Sequence, residues 1–160
     1  MKNKELLDNT KQFEERILQL RKTSTKRAGG NAFHYSALCA IGDGEGNVGV
    51  AIAKSKENVR AMTKAKDKAR RSMRKFVLTK TGTIPHEISI KFGAAKILLR
   101  PAPPGSGIIA GGSIRQVLEI AGIKNISAKM IGSTSPVLNA YAIVKALSQL
   151  KEVKKKQEVS

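Results

Sequence analysis

Between Ala32 and Ile41 the chain alternates cleanly. Phe33, Tyr35, Ala37, Cys39 and Ile41 share one side of an extended segment, and His34, Ser36, Leu38 and Ala40 share the other. A period of two predicts a strand. Gly42-Asp43-Gly44-Glu45-Gly46-Asn47 is a turn signal, and Val48 to Ala53 reads as the returning strand. Upstream, Glu15 to Leu20 predicts a first strand, with Leu18 and Leu20 on one side and Gln19 and Arg21 on the other. From Glu57 to Phe76 the period lengthens. Val59, Met62, Ala65, Ala69, Met73 and Phe76 recur at spacings of three and four, which predicts an amphipathic helix. Residues 1–14 carry mixed charge and few large apolar groups, and read as an extension.

Thr79-Lys80-Thr81-Gly82-Thr83 separates this half from a second one, which places the modules at residues 15–80 and 81–150. The second half opens with two strand-like runs, Glu87 to Phe92 and Ala95 to Arg100, with Gly93 suited to a hairpin. Prolines 101, 103 and 104 stop the strand, and Gly105 to Gly112 form a glycine-rich loop. Ser113 is a candidate N-cap for a helix from Ile114 to Ala121, with Gly122 at its C-terminal end. A strand from Ile126 to Ile131 follows. Pro136 sits in the first turn of a last helix, with Val137, Ala140, Tyr141, Val144 and Leu147 on its buried side. Residues 151–160 read as a charged, disordered tail.

Charge changes the picture from a generic fold to a function class. Lys plus Arg number 30 against 12 Asp plus Glu, a net charge of +18. Such a field concentrates polyanions and speeds their encounter, and is the electrostatic footprint of a nucleic-acid binder. Both halves are basic, so both are expected to touch the polyanion. The single cysteine, Cys39, excludes an intramolecular disulfide and a multi-cysteine zinc site. No apolar run approaches a membrane span, and the first residues lack the apolar core of a signal peptide. A soluble cytoplasmic protein with no cofactor and no membrane contact is expected.

Two stretches carry the candidate contacts. The first is the basic segment Arg21-Lys22-Thr23-Ser24-Thr25-Lys26-Arg27-Ala28-Gly29-Gly30-Asn31, read as a loop whose glycines let the backbone approach a phosphate chain. The same residues also suit a hairpin loop that is merely basic. The second is the predicted helix and its approach. Lys54 to Lys75 holds ten basic residues against Glu57 and Asp67, so the helix repels itself unless phosphates or an acidic neighbour relieve it. The glycine-rich loop before a helix N-terminus invites a phosphate. It lacks the Gly-Lys-Ser/Thr of a Walker A loop, and no acid stands about 20 residues later, where a dinucleotide site needs one. A structural loop is the reading that fits. The alternative is a phosphotransferase using Gly105–Gly112.

The block Pro101-Ala102, Gly105-Ser106-Gly107-Ile108-Ile109-Ala110-Gly111-Gly112, Arg115, Val117-Leu118-Glu119 and Ala121-Gly122 resembles the fifth protein of the bacterial small ribosomal subunit. Gly42-Asp43-Gly44, Gly46, Lys54, Ala69-Arg70-Arg71 and Gly132-Ser133-Thr134 extend the resemblance over Glu15 to Leu150. The resemblance implies an α+β protein. Its N-terminal module would be similar to double-stranded-RNA-binding domains. Its C-terminal half would be a two-layer α/β domain with a left-handed βαβ crossover. It also implies a structural, non-enzymatic role, binding ribosomal RNA where head and body of the subunit meet, close to the channel by which messenger RNA enters. Small-subunit ribosomal proteins four and eight would be neighbours, with effects on assembly and decoding accuracy. The expected RNA contacts are Arg21, Lys22, Thr25, Lys26, Arg27, Gly29, Gly30, Asn31, Lys54, Lys64, Arg70, Arg71, Arg74 and Arg115. Where the family reads Lys-Gly-Gly-Arg at the loop, associated with spectinomycin resistance when altered, this chain has Ala28-Gly29-Gly30-Asn31. Antibiotic sensitivity is therefore not carried over.

Overall fold

The structure, a computed structural model, describes residues 12–151. Most of the N-terminal extension and nearly all of the charged tail lie outside the described residues.

The first half runs β1 (Glu14–Arg27), β2 (Gly30–Gly42), β3 (Asn47–Ser55), α1 (Asn58–Arg71) and β4 (Arg74–Lys75), with an antiparallel sheet in the order β1-β2-β3-β4. The second half runs β5 (Ile88–Phe92), β6 (Ala95–Pro101), β7 (Ile108–Ile109), α2 (Gly112–Ile120), β8 (Ile126–Gly132) and α3 (Pro136–Ser148), with sheet order β5-β6-β8-β7. Only β7 and β8 pair in parallel, so β7-α2-β8 is a βαβ unit.

The basic segment is not the loop expected. β1 continues through it to Arg27, paired residue by residue with β2, and only Ala28 and Gly29 turn the chain. A two-residue connection demands positive φ, which Gly29 supplies at 92°. Alternation inside β1 also slips. A bulge between Ile17 and Gln19 places Ile17 opposite Cys39 and Leu20 opposite Ala37, so these two share a face, and Leu18 packs with the other core.

One face of the first sheet is covered by α1. Ala37, Cys39, Ile41 and Ala51 meet Ala61, Ala65 and Ala69, all essentially solvent-free. Small side chains on the helix allow its axis to lie close. At Gly49 a Cβ would come within 2.3 Å of the Ala69 carbonyl oxygen. The helix is shorter than its apolar period predicts. At Ser72 the hydroxyl donates to the Ala69 carbonyl (2.9 Å) and lies within reach of the Val50 carbonyl (3.2 Å) as the chain leaves the helix. Val59, expected on the buried stripe, is 68% exposed, and Ala61 takes the core position.

The opposite face of the same sheet is also buried. Leu38, Ala40, Val48 and Val50 join Ile114, Val117 and Leu118 of α2, Ile143 and Leu147 of α3, and Ile97 and Leu99 of β6 in one core. The order of layers is α1, first sheet, α2 with α3, second sheet. Held between two sheets, α3 buries Asn139, Ala142, Ile143 and Ala146 as well as Ala140 and Leu147, a wider surface than one stripe. The Tyr141 hydroxyl accepts the Ile52 amide at 3.2 Å and ties α3 to β3.

The turn 42–47 docks on the end of α2. The Asp43 carboxylate accepts the Glu45 and Asn47 amides at 2.9 and 3.0 Å, which shapes the turn. The Gly44 amide donates to the Ile120 carbonyl (3.1 Å) and the Gly46 amide to the Ala121 carbonyl (3.2 Å). Gly122, at φ 85°, lies so close that a Cβ there would sit 1.9 Å from the Gly44 oxygen. α2 itself starts one residue before the expected cap: Gly111 is the N-cap, with no side-chain hydrogen bond, and Ser113 lies inside the helix. A Cβ on Gly111 would meet the Met130 methyl at 2.6 Å, which the flexible Met130 side chain can relieve by moving.

Candidate nucleic-acid interface

β3 pairs with β2 only as far as Tyr35 opposite Ser55. Beyond that point β1 and β2 continue alone, from Lys22 opposite Tyr35 to Arg27 opposite Gly30. The result is a two-stranded ribbon that projects roughly 17 Å past the body, at about 3.4 Å per residue. Residues 16–42 contain Arg16, Arg21, Lys22, Lys26 and Arg27 and no Asp or Glu. Among the described residues, Arg21, Lys22, Lys26 and Arg27 make no ion pair. Lys26 and Asn31 face each other near the tip, as do Thr25 and Ala32. The Lys22 ammonium stands 4.3 Å above the Phe33 ring, itself 46% exposed. An isolated hairpin is marginal in water, and one bearing unopposed cations is less favourable still.

At the base of the ribbon an open pocket of about 480 Å³ is lined by His34, Lys54, Ser55, Lys56, Glu57, Arg60 and Lys64. The end of β3 delivers Lys54, the bend after it Lys56, and the first two turns of α1 deliver Arg60 and Lys64. Glu57 is the N-cap of α1 and makes no side-chain cap hydrogen bond, and the first turn carries no acid. Its amide ends and positive dipole therefore point the same way as the surrounding cations. Among the described residues that line the pocket, the only ion pair is that of Arg60 with Glu57 at 3.0 Å.

The other expected contact residues are dispersed. Arg70 is drawn to Glu15 at 3.2 Å, which Lys66 also meets at 2.9 Å, and its guanidinium lies 5.6 Å from the Phe13 ring centre. Arg71 is exposed at the end of α1. Arg74 leaves the helix for β4 and lines a groove with Ser72, Phe92, Tyr141 and Lys145. Arg115 pairs with Glu119 at 3.0 Å, and Glu119 also receives Arg16 of β1 at 2.7 Å. That bridge joins the two halves and holds the Glu119 carboxyl below its ordinary value, chiefly through the Arg16 hydrogen bond and then that of Arg115. The structure thus gathers Lys22, Thr25, Lys26, Arg27, Gly29, Gly30 and Asn31 on the ribbon, Arg21 at its base, and Lys54 and Lys64 at the pocket. Arg70, Arg71, Arg74 and Arg115 stand apart. Sequence reasoning missed Lys56 and Arg60. Their signal was present: two lysines at a strand end, then basic residues four apart opening a helix.

The glycine-rich loop is occupied from within. Asn125 Oδ1 accepts the amides of Gly105 (3.0 Å) and Gly107 (3.2 Å), while its Nδ2 donates to the Thr81 carbonyl (3.1 Å). Two of the N–H groups that a phosphate would need are already satisfied by a side chain that is 7% exposed. Ile108 and Ile109, expected in the loop, form β7 against β8. Among the described residues, no group of three or more His, Cys, Asp or Glu is placed to hold a metal ion.

Comparison with known families decides the kinship. Residues 13–76 match the ribosomal protein S5 N-terminal domain, and residues 90–160 match the ribosomal protein S5 C-terminal domain. The chain belongs to the ribosomal protein S5 family. That family is structural and non-enzymatic, which sets aside the phosphotransferase alternative. Among relatives, the small ribosomal subunit protein uS5 of Thermus thermophilus is 46% identical over 139 residues, covering 87% of this chain and 85% of that protein. The uS5 protein of a Picosynechococcus species is 44% identical over 150 residues, covering 94% and 85%. The uS5c protein of Rhodomonas salina is 39% identical over 150 residues, covering 94% and 89%. As in the two family domains, α and β elements are mixed in each half of this chain.

Proposed function

We propose that the chain is a structural constituent of the small ribosomal subunit in the cytoplasm, and that it holds folded ribosomal RNA through the β1–β2 ribbon and the basic pocket at the start of α1. The observation that carries this is the ribbon: Lys22, Lys26 and Arg27, without an ion pair among the described residues, stand on a two-stranded projection that β3 does not reach, with Arg21 at its base. Phosphate contacts position such a protein, and the shape of the RNA selects the site. Lys22, Thr25, Lys26, Arg27, Gly29, Gly30 and Asn31 form the ribbon contact, with Arg21 at its base and Lys54 and Lys64 at the pocket. Arg70, Arg71, Arg74 and Arg115 are secondary, because two of them already serve Glu15 and Glu119.

The finer parts of this reading rest on the family resemblance. They are a module 15–80 similar to double-stranded-RNA-binding domains, preceded by the extension 1–14, and a module 81–150 with a left-handed β7-α2-β8 crossover, followed by the tail 151–160. Placement at the head–body junction near the path of messenger RNA, beside small-subunit proteins four and eight, belongs with them. The names of the relatives, small ribosomal subunit protein uS5, support the assembly.

The test is binding of purified chain to small-subunit ribosomal RNA across a salt series. Lys26→Ala with Arg27→Ala lowers the slope of log affinity against log salt by about 1.5, since each lost phosphate contact contributes about 0.7–0.9. A slope equal to that of the parent chain refutes the ribbon contact.

A further inference from the structure

The second sheet presents a face that nothing among the described residues covers. Ile88, Ile90, Ile97, Leu99 and Ile126 point to the α2–α3 layer and are half-buried or buried. The alternate residues point outward, and the pairing register arranges them in three rows. Lys91 lies opposite Lys96, and Lys96 opposite Ile131. Ser89 lies opposite Leu98, and Leu98 opposite Lys129. Arg100 lies opposite Ser127, and Ser127 opposite Ile109.

Three features of this grid point to one kind of ligand. Lys91 and Lys96 are like charges in direct cross-strand opposition, an arrangement that destabilises a sheet unless something neutralises it. Among the described residues, neither they nor Lys129 make an ion pair, whereas Arg100 is held by Glu87 at 3.1 Å. The free charge is all lysine. Lysine is a point charge suited to phosphate, and is depleted from protein–protein interfaces, where arginine is favoured. No aromatic residue lies on the face, so it does not stack bases. Leu98 and the exposed Ile131 offer a low, flat surface beside the charges.

We infer that the outer face of the second sheet is a second RNA-binding surface, in which Lys91, Lys96 and Lys129 hold the phosphate backbone of an RNA segment distinct from the one on the ribbon. The inference rests on the proposed assembly with ribosomal RNA and goes beyond it. The ribbon belongs to the first sheet and this face to the far side of the second, with the α2–α3 layer between. One chain then clamps two RNA segments, and each contact raises the effective concentration of the other.

The experiment uses the full chain with protein-free small-subunit ribosomal RNA and the variant Lys91→Gln, Lys96→Gln, Lys129→Gln. The slope of log affinity against log salt falls by about 2, at about 0.7–0.9 per phosphate, and affinity near physiological salt drops at least about tenfold. The melting temperature of the free variant is no lower than that of the parent, because the Lys91–Lys96 repulsion is relieved. Lys96→Gln alone, with a fall in slope of about 0.7, serves if the triple variant folds poorly, and the triple arginine variant retains binding. Parent-like slope and affinity in the glutamine variants overturn the inference. So does a photo-crosslinker at position 96 of assembled small subunits that captures protein and no RNA. If Lys26→Ala with Arg27→Ala lowers the slope while the sheet variants do not, this second surface fails and the ribbon contact stands.

Discussion

Gly122→Ala tests how the two halves are held together. The residue has φ 85°, and a Cβ added there would lie 1.9 Å from the Gly44 carbonyl oxygen and 2.4 Å from its carbon. Alanine in left-handed backbone costs about 1–2 kcal/mol. The overlap is with backbone, so no side chain can swing aside. The turn must lift from α2, which weakens the Gly44–Ile120 and Gly46–Ala121 hydrogen bonds, each worth about 0.5–1.5 kcal/mol. The expected loss is about 3–4 kcal/mol, or roughly 10 °C in melting temperature for a chain of this size. Gly105→Ala is the control. Its φ of 89° imposes the same conformational cost, but nothing lies within 4 Å of the added carbon. Urea denaturation and thermal melting of both variants, with hydrogen exchange at the Gly44 and Gly46 amides, give the comparison. A Gly122→Ala loss no larger than that of Gly105→Ala refutes the claim that close backbone docking, rather than backbone conformation alone, selects glycine at 122.

Three further outcomes follow from named contacts. Asn125→Ala removes the acceptor for the Gly105 and Gly107 amides and the donor to Thr81, and costs about 2–3 kcal/mol in urea denaturation, since buried polar groups are left unpaired. Glu119→Gln breaks the Arg16 bridge between the halves at a cost of about 1 kcal/mol, a value tempered by solvent exposure. The Glu119 carboxyl titrates below its ordinary 4.5 in the folded chain, so its contribution is fully present above that pH and lost as pH falls through the lowered value. The melting-temperature gap between parent and variant is therefore constant near neutrality and closes in acid. A gap unchanged down to pH 3 contradicts this. Finally, burial first, and then the negative charge of Glu15, push the Cys39 thiol up to about 11. It stays unreactive toward a disulfide reagent at pH 8 in the native chain and reacts at once in denaturant. Rapid native labelling would show that α1 opens.

Local signals were enough to read much of the chain. The alternation of Phe33 to Ile41 defined β2 and its two faces, and the glycine and proline punctuation placed the elements of the second half in order. The charge imbalance pointed to a polyanion before any contact was known. These features are legible because they depend on neighbours in sequence: a period of two or of three to four, a turn residue, a local excess of one charge.

Other features depended on residues far apart in the chain. The basic segment Arg21–Arg27 has the composition of a loop, yet pairing with β2 makes it a strand, since the ladder stabilises what local propensity leaves open. The buried stripe on α1 runs through Ala61, Ala65 and Ala69 rather than Val59, because those three are the residues that meet Ala37, Cys39, Ile41 and Ala51 of the sheet. Gly42, Gly44 and Gly46 read as turn residues, but the Gly44 and Gly46 amides also donate to the Ile120 and Ala121 carbonyls, and Gly42 lets the Ile120 carbonyl come close. Asn125 carries no local signal, yet its side chain fills the glycine loop. Sequence by itself determined the kinds of element and the sign of the surface. Tertiary structure decided which cations stay free, because an ion pair such as Arg16 with Glu119 forms only when β1 and α2 are brought together in space.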